Sequence, residues 1–333
     1  MVSTATKQST LIQQPNTQAS DNPFRSVETS EAAKKISQTD VLKVTIASPK
    51  SEKFFTQDES IKIAGATKKG SVVAILGGKN PVLLGANEDG SFAPTIELHE
   101  GVNELSINVF GINGQVKKES RTVIMLKDTF AEEELDLIIS PTASNSKEEK
   151  DKIILNNSDG TTTSLTTTKQ TKWYTFAQGS KKPLKNQKLS NLPSFAITSK
   201  TDPVALAIAQ YETIDSNLTI FNGEVRDKNI SLEEGLNIQV VNQDNSNQLE
   251  NNFMIGNDSV ITANGYEESL KPTDIKIGDK VVIVYEKPEE ASAQLQENAG
   301  SKENNTLQAQ YVHISPGKGS SILKDLKNPQ SPE

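Results

Sequence analysis

His99 and His313 are the only imidazoles in the chain, and it has no cysteine. A zinc centre or a nucleophilic triad needs such side chains converging in one place. The absence of cysteine excludes disulfide scaffolds, thiolate metal sites and thiol nucleophiles. The two histidines fall in segments that read as different modules, so neither can complete the other's site. His99 precedes Glu100-Gly101 at a hairpin, and His313 lies on a strand whose Val312 and Ile314 should point inward. Period-two alternation therefore turns His313 outward, and both histidines are expected at the surface. Asn87-Glu88-Asp89-Gly90 groups oxygens as a calcium loop would, but lacks the distal bidentate glutamate, and a turn without an ion is expected. Glu132-Glu133-Glu134 sits in a polar connection, whereas glycoside hydrolysis needs two carboxyls across a rigid cleft. A solvated charge run is the expected reading. Gly77-Gly78-Lys79-Asn80 and Pro316-Gly317-Lys318-Gly319-Ser320 lack the strand, spacing and helix of a phosphate loop. No catalytic residue, cofactor or metal is expected.

Two features could bind rather than react. Lys181-Lys182-Pro183-Leu184-Lys185-Asn186-Gln187-Lys188 is a basic cluster of the kind that tracks a single nucleic-acid strand, with a solvated loop as its alternative. A net charge of -8 argues against a polyanion partner. In Thr171-Lys172-Trp173-Tyr174-Thr175-Phe176, alternation puts Trp173 and Thr175 on one face and Tyr174 and Phe176 on the other. An exposed Trp173 would offer a flat platform for a sugar ring or a partner side chain, and a buried one would fill core.

The elements that must hold these residues are strands. Phe92, Ile96 and Leu98 share one face, and Leu105, Ile107 and Val109 repeat the pattern one hairpin later. Seven strands are expected, near 41-48, 60-65, 71-76, 81-86, 91-98, 103-110 and 116-126, with glycine turns such as Asp89-Gly90 and Asn113-Gly114 between them. Short strands so spaced fit an immunoglobulin-like β-sandwich over 41-127. Only 34% of the chain is hydrophobic, so much of it lies outside any core. Residues 1-40 are polar and aperiodic, a leader or stalk expected to be disordered, of the kind that follows a membrane anchor; no signal peptide is visible in it. Residues 128-150 read as a linker with a stray strand, and 316-333 as a disordered tail. The longest apolar run, Val281-Val282-Ile283-Val284-Tyr285, is strand-sized, so no membrane span is expected.

Leu42-Lys43-Val44-Thr45-Ile46-Ala47-Ser48-Pro49, Ile61-Lys62-Ile63-Ala64-Gly65, Glu88-Asp89-Gly90-Ser91-Phe92 and Gly101-Val102-Asn103-Glu104-Leu105 resemble a bacterial immunoglobulin-like domain of the glucodextranase accessory type. That resemblance covers about a quarter of the chain and implies a non-catalytic spacer or accessory role in an extracytoplasmic setting. Further on, Gly223-Glu224-Val225, Leu236-Asn237-Ile238-Gln239-Val240, Asp274-Ile275-Lys276-Ile277-Gly278-Asp279-Lys280-Val281-Val282 and Ala309-Gln310-Tyr311-Val312-His313-Ile314 resemble small OB-like bacterial β-barrels of unknown function. Residues 151-214 read as a degenerate copy of 215-315. Lys152-Ile153-Ile154-Leu155 answers Asn229-Ile230-Ser231-Leu232, Leu189-Leu192 answers the approach to Asp274, and Val204-Ile208 answers the closing strand. Two tandem barrels and one composite barrel both fit. The expected protein is thus all-β and non-enzymatic: a bacterial envelope module presenting its domains to a polysaccharide or an envelope protein, or a carbohydrate-binding accessory subunit. A single-strand nucleic-acid binder is the third alternative.

Overall fold

The computed structural model describes residues 41–130, 134–177, 180–212, 217–231, 235–242, 249–263, 266, 270–287 and 306–315. The expected leader, the tail, Glu132 and Glu133 lie outside these. The described residues from Leu42 onward belong to one compact unit. It is all-β, with two three-residue 3-10 turns, Lys185–Gln187 and Pro272–Asp274, as its only helical pieces among the described residues.

Residues 45–125 form the sandwich. Its strands are β1 (Thr45–Ser48), β2 (Lys53–Thr56), β3 (Ser60–Lys62), β4 (Ala64–Ala66), β5 (Val72–Leu76), β6 (Val82–Gly85), β7 (Ser91–Phe92), β8 (Thr95–Glu97), β9 (Gly101–Phe110) and β10 (Val116–Met125). One sheet is β1-β4-β7, with β3-β8 continuing the same two chain segments, and the other is β2-β10-β9-β5-β6. The alternation seen in sequence places Phe92, Ile96, Leu98, Leu105, Ile107 and Val109 in the core between them. β2 was not expected. It pairs parallel to β10, a partner far along the chain, and Phe54 and Phe55 are both partly buried, so its side chains do not alternate in polarity.

Two barrels follow. The second is closed, in the order β18 (Leu218–Ser231), β19 (Gly235–Asn242), β20 (Glu250–Ala263), β22 (Thr306–Ser315) and β21 (Lys280–Glu286). The first uses β11 (Leu135–Ser140), β12 (Thr142–Asn145), β13 (Lys152–Asn156), β14 (Thr162–Ala177), β15 (Ser180–Pro183), β16 (Ser194–Ser199) and β17 (Val204–Tyr211), in the order β11-β16-β17-β14-β13-β12. Its two end strands are consecutive in the chain, with only Pro141 between them. Proline cannot donate to a ladder, so the strand is interrupted there while its path goes on. With β11 and β12 taken together as the counterpart of β18, every pairing of the second barrel recurs in the first, which adds the β14–β15 hairpin. Both include a parallel pair, β14 with β17 and β20 with β22. Both parallel pairs carry the same irregularity: Thr167 to Lys172 spans Ala205 to Ala207, and Ile255 to Val260 spans Ala309 to Tyr311.

The repeat is therefore tandem, each barrel having its own apolar interior. The expected alignment needs two corrections. Residues 128–150 are not a plain linker, because β11 and β12 supply the first strand of the first barrel. Lys152–Asn156 consequently occupies the place of β19 and not that of Asn229–Leu232. The assignment of Val204–Ile208 to the closing strand holds, and the two 3-10 turns precede β16 and β21 at matching places. Gly278, at a φ of +89°, makes the turn into β21, where the buried Asp279 carboxylate accepts from the Lys276 N–H at 2.8 Å.

Candidate functional site

The run Val72-Val73-Ala74-Ile75-Leu76 is buried throughout, so both faces of β5 are covered. Val73 and Ile75 enter the sandwich core, while Val72 and Ala74 look away from it. What covers the outer face of this sheet is the pair of barrels, one toward each end of β9 and β10.

At the Gly101 and Met125 end, Ile124, Leu126, Phe55 and Val102 of the sandwich join Phe176, Phe195, Ile197 and Tyr211 of the first barrel in one apolar cluster. Phe176 stacks on Phe195 with centroids 6.0 Å apart. Gly101 is required here on two counts: its φ is +107°, and a Cβ would lie 2.6 Å from the Phe176 ring. Beside the cluster sits a charged knot. Asp128 accepts from Lys172 Nζ at 3.0 Å, from the Tyr174 hydroxyl at 2.9 Å and from Lys181, which also reaches Glu100 at 3.0 Å. Burial pushes the Asp128 carboxyl up, but hydrogen bonds from Lys181, Lys172 and Tyr174 together outweigh it and hold the group below its ordinary value. Burial, then the Asp128 carboxylate, raises the Tyr174 hydroxyl.

At the other end, Val72, Ala74 and Phe110 pack on Val282, with Leu83 and Ile220 alongside, and Lys280 Nζ donates to the Ile112 carbonyl at 2.5 Å. This contact is smaller, with Phe110 as its one aromatic ring. Next to it a cleft of about 400 Å³ opens between the sandwich and the second barrel. Leu76, Ser106, Asn108 and Lys118 stand on the sandwich side, and Leu218, Thr219 and Asn222 on the barrel side.

The residues singled out in the sequence fare differently. Trp173 is only 8% exposed, inside the first barrel with Ile153, Leu155 and Ile208, so there is no exposed indole platform. The parallel pairing with β17 directs Trp173 opposite Ile208, and its Nε1–H has no hydrogen-bond partner among the described residues. His313 does point away from the barrel interior, yet it is 1% exposed and not a surface residue. Its strand neighbour Val282 is in the sandwich contact, and Thr262 Oγ1 lies 2.9 Å from Nδ1. Burial lowers the imidazole to about 4. His99 is exposed at the hairpin, its N–H donating to Asn103 Oδ1. The Asn87–Gly90 turn spends its oxygens internally, Asp89 accepting from the Ser91 N–H and Glu88 pairing with Lys69. Within the basic cluster, Lys181 is held by two carboxylates. Among the described residues no group of three or more His, Asp or Glu side chains could hold a metal, and no helix is long and apolar enough to cross a membrane. Sequence reasoning missed Asp128 and the cleft, because both depend on how modules meet. The unbroken apolar run in β5 was the one signal that a second face was covered.

No family model matches the chain, and no curated protein matches it. Among solved structures it is similar to a mutant of Salmonella alpha-2-macroglobulin, at 9% identity and a TM-score of 0.21, over 83% of this chain and 16% of that one.

Proposed function

We propose that this chain is a non-enzymatic structural or adhesion module of a bacterial cell envelope, acting outside the cytoplasm and presenting a fixed array of β domains to a polysaccharide or an envelope protein. The observation that carries this is the coverage of one sandwich face by both barrels, through the Phe176 cluster at one end and the Val72–Val282 contact at the other. Three domains docked in this way keep their spacing, as a spacer or presenting element must, whereas linker-joined domains would not. Cores built without cysteine are indifferent to an oxidising compartment. The resemblance of the sandwich to accessory domains of the glucodextranase type supports the same setting.

A second reading, a carbohydrate-binding accessory subunit, is favoured by the amide- and hydroxyl-lined cleft. Nucleic-acid binding has less support, since Lys181 is already neutralised by Asp128 and Glu100. Fractionation of the source cells, with a pull-down of the purified chain on isolated envelope, tests the main reading. Enrichment with the envelope and retention on it are expected. A chain found wholly in the cytosolic fraction and not retained would overturn the proposal.

A further inference from the structure

We infer that the cleft between the sandwich and the second barrel is a binding site for a neutral oligosaccharide. This deepens the polysaccharide-facing reading above and rests on it. The cleft's volume of about 400 Å³ lies within the usual range for small-ligand pockets. Its chemistry is selective. Lys118, exposed on the sandwich side, is the only ionisable side chain among the described lining residues. Among the described lining residues a polyanion would find one cation, and a cationic ligand no carboxylate.

What the cleft does offer is neutral hydrogen-bonding groups that the fold leaves unused. Asn108 spends its amide hydrogens on Ser106, at 2.9 Å to Oγ and 3.2 Å to the carbonyl, and its own Oδ1 has no partner among the described residues. On the barrel wall Asn222 shares the outward face of β18 with Ile220, and its half-buried side chain makes no hydrogen bond among the described residues. Amides and hydroxyls can both donate and accept, which suits adjacent sugar hydroxyls. Between these groups the half-buried Ile220, flanked by the edges of Leu76 and Phe110, gives a small apolar surface for the C–H face of a pyranose. The two walls come from different modules, and the Val282 contact fixes their separation before any ligand arrives.

The test titrates the full chain with cellohexaose, maltohexaose and mannohexaose by calorimetry, beside Asn222→Leu and Asn108→Ala, with circular dichroism confirming that each variant is folded. Asn108→Ala removes the unpartnered Oδ1 of the sandwich wall, so it serves even if Asn222→Leu disturbs the domain contact. At least one hexasaccharide should bind, at least tenfold more weakly to Asn222→Leu and several-fold more weakly to Asn108→Ala. Binding unchanged in both folded variants, or no binding of any of the three sugars, would overturn the site. Envelope retention of the unmutated chain, measured in parallel, separates the two claims: retention without hexasaccharide binding removes this site and leaves the envelope role standing.

Discussion

The first barrel repeats every strand pairing of the second, yet the two sit on the same sandwich sheet by different means. The first buries aromatic rings and tethers them with Asp128, Lys181 and Lys172. The second rests on Val72, Ala74 and Val282 with one ring, Phe110, buries an uncharged histidine beside them and leaves a polar cleft open. One topology has thus been put to two uses. The strand order is set by the barrel interiors, Trp173 with Ile208 in one and Ile261 with Val312 in the other, at equivalent positions of the parallel pair. The outward residues are free to differ: Tyr174 opposite Ala209 faces the first contact, and Thr262 opposite His313 takes the corresponding place in the second.

The largest expected effect tests whether the aromatic contact is the stronger one. Phe176→Ala empties a ring from between Gly101 and Phe195 and should cost about 4 kcal/mol, while Val282→Ala should cost about 2 kcal/mol. Urea denaturation of both variants decides it. A Phe176→Ala loss no larger than that of Val282→Ala would break the comparison.

The second barrel's contact should also carry its own pH dependence. His313 has a folded value of about 4 against an ordinary 6.5, so the unfolded chain binds the proton first as pH falls. Its contribution is complete above about pH 6.5 and is lost as pH drops toward 4, amounting to about 3 kcal/mol. Asp128, held below the ordinary carboxylate value of 3.8, keeps its contribution above that pH and loses it only in stronger acid. The two contacts therefore weaken in separate windows. Stability measured by denaturant between pH 7 and 4 should fall in the unmutated chain and be nearly flat in His313→Gln. A slope that survives the substitution would place the titrating group elsewhere.

These differences explain what could be read from the sequence. Leu105, Ile107 and Val109 announced their strand because one face of a local hairpin meets core and the other does not. Alternation also gave the correct direction for His313, but not its burial, since the surface that covers it belongs to a domain far away in the chain. The same cause hid β2, which pairs in parallel with a distant strand, and β11, whose partner β16 lies beyond most of the first barrel. Pro141 made the matter worse by cutting into two short pieces what β18 carries as one long strand.

Trp173 gives the smallest effect and sharpens the comparison within the first barrel itself. It is the chain's sole tryptophan, so its emission reports that barrel alone. Its buried Nε1–H lacks a partner among the described residues, a state that costs about 1 to 3 kcal/mol of desolvation. Trp173→Phe removes that unsatisfied donor together with part of the ring. The lost packing and the relieved polar group oppose each other, and the net change should stay within about 1 kcal/mol, well below the usual cost of shrinking a core aromatic side chain. A loss of 3 kcal/mol or more would mean that the indole nitrogen has a partner, such as a trapped water, that holds the barrel together. In the unmutated chain, tryptophan emission and far-ultraviolet circular dichroism should change at the same denaturant concentration, because the Phe176 cluster couples the first barrel to the sandwich. Emission that changes earlier would show the first barrel opening on its own, and the ring-packed contact would then be the looser of the two.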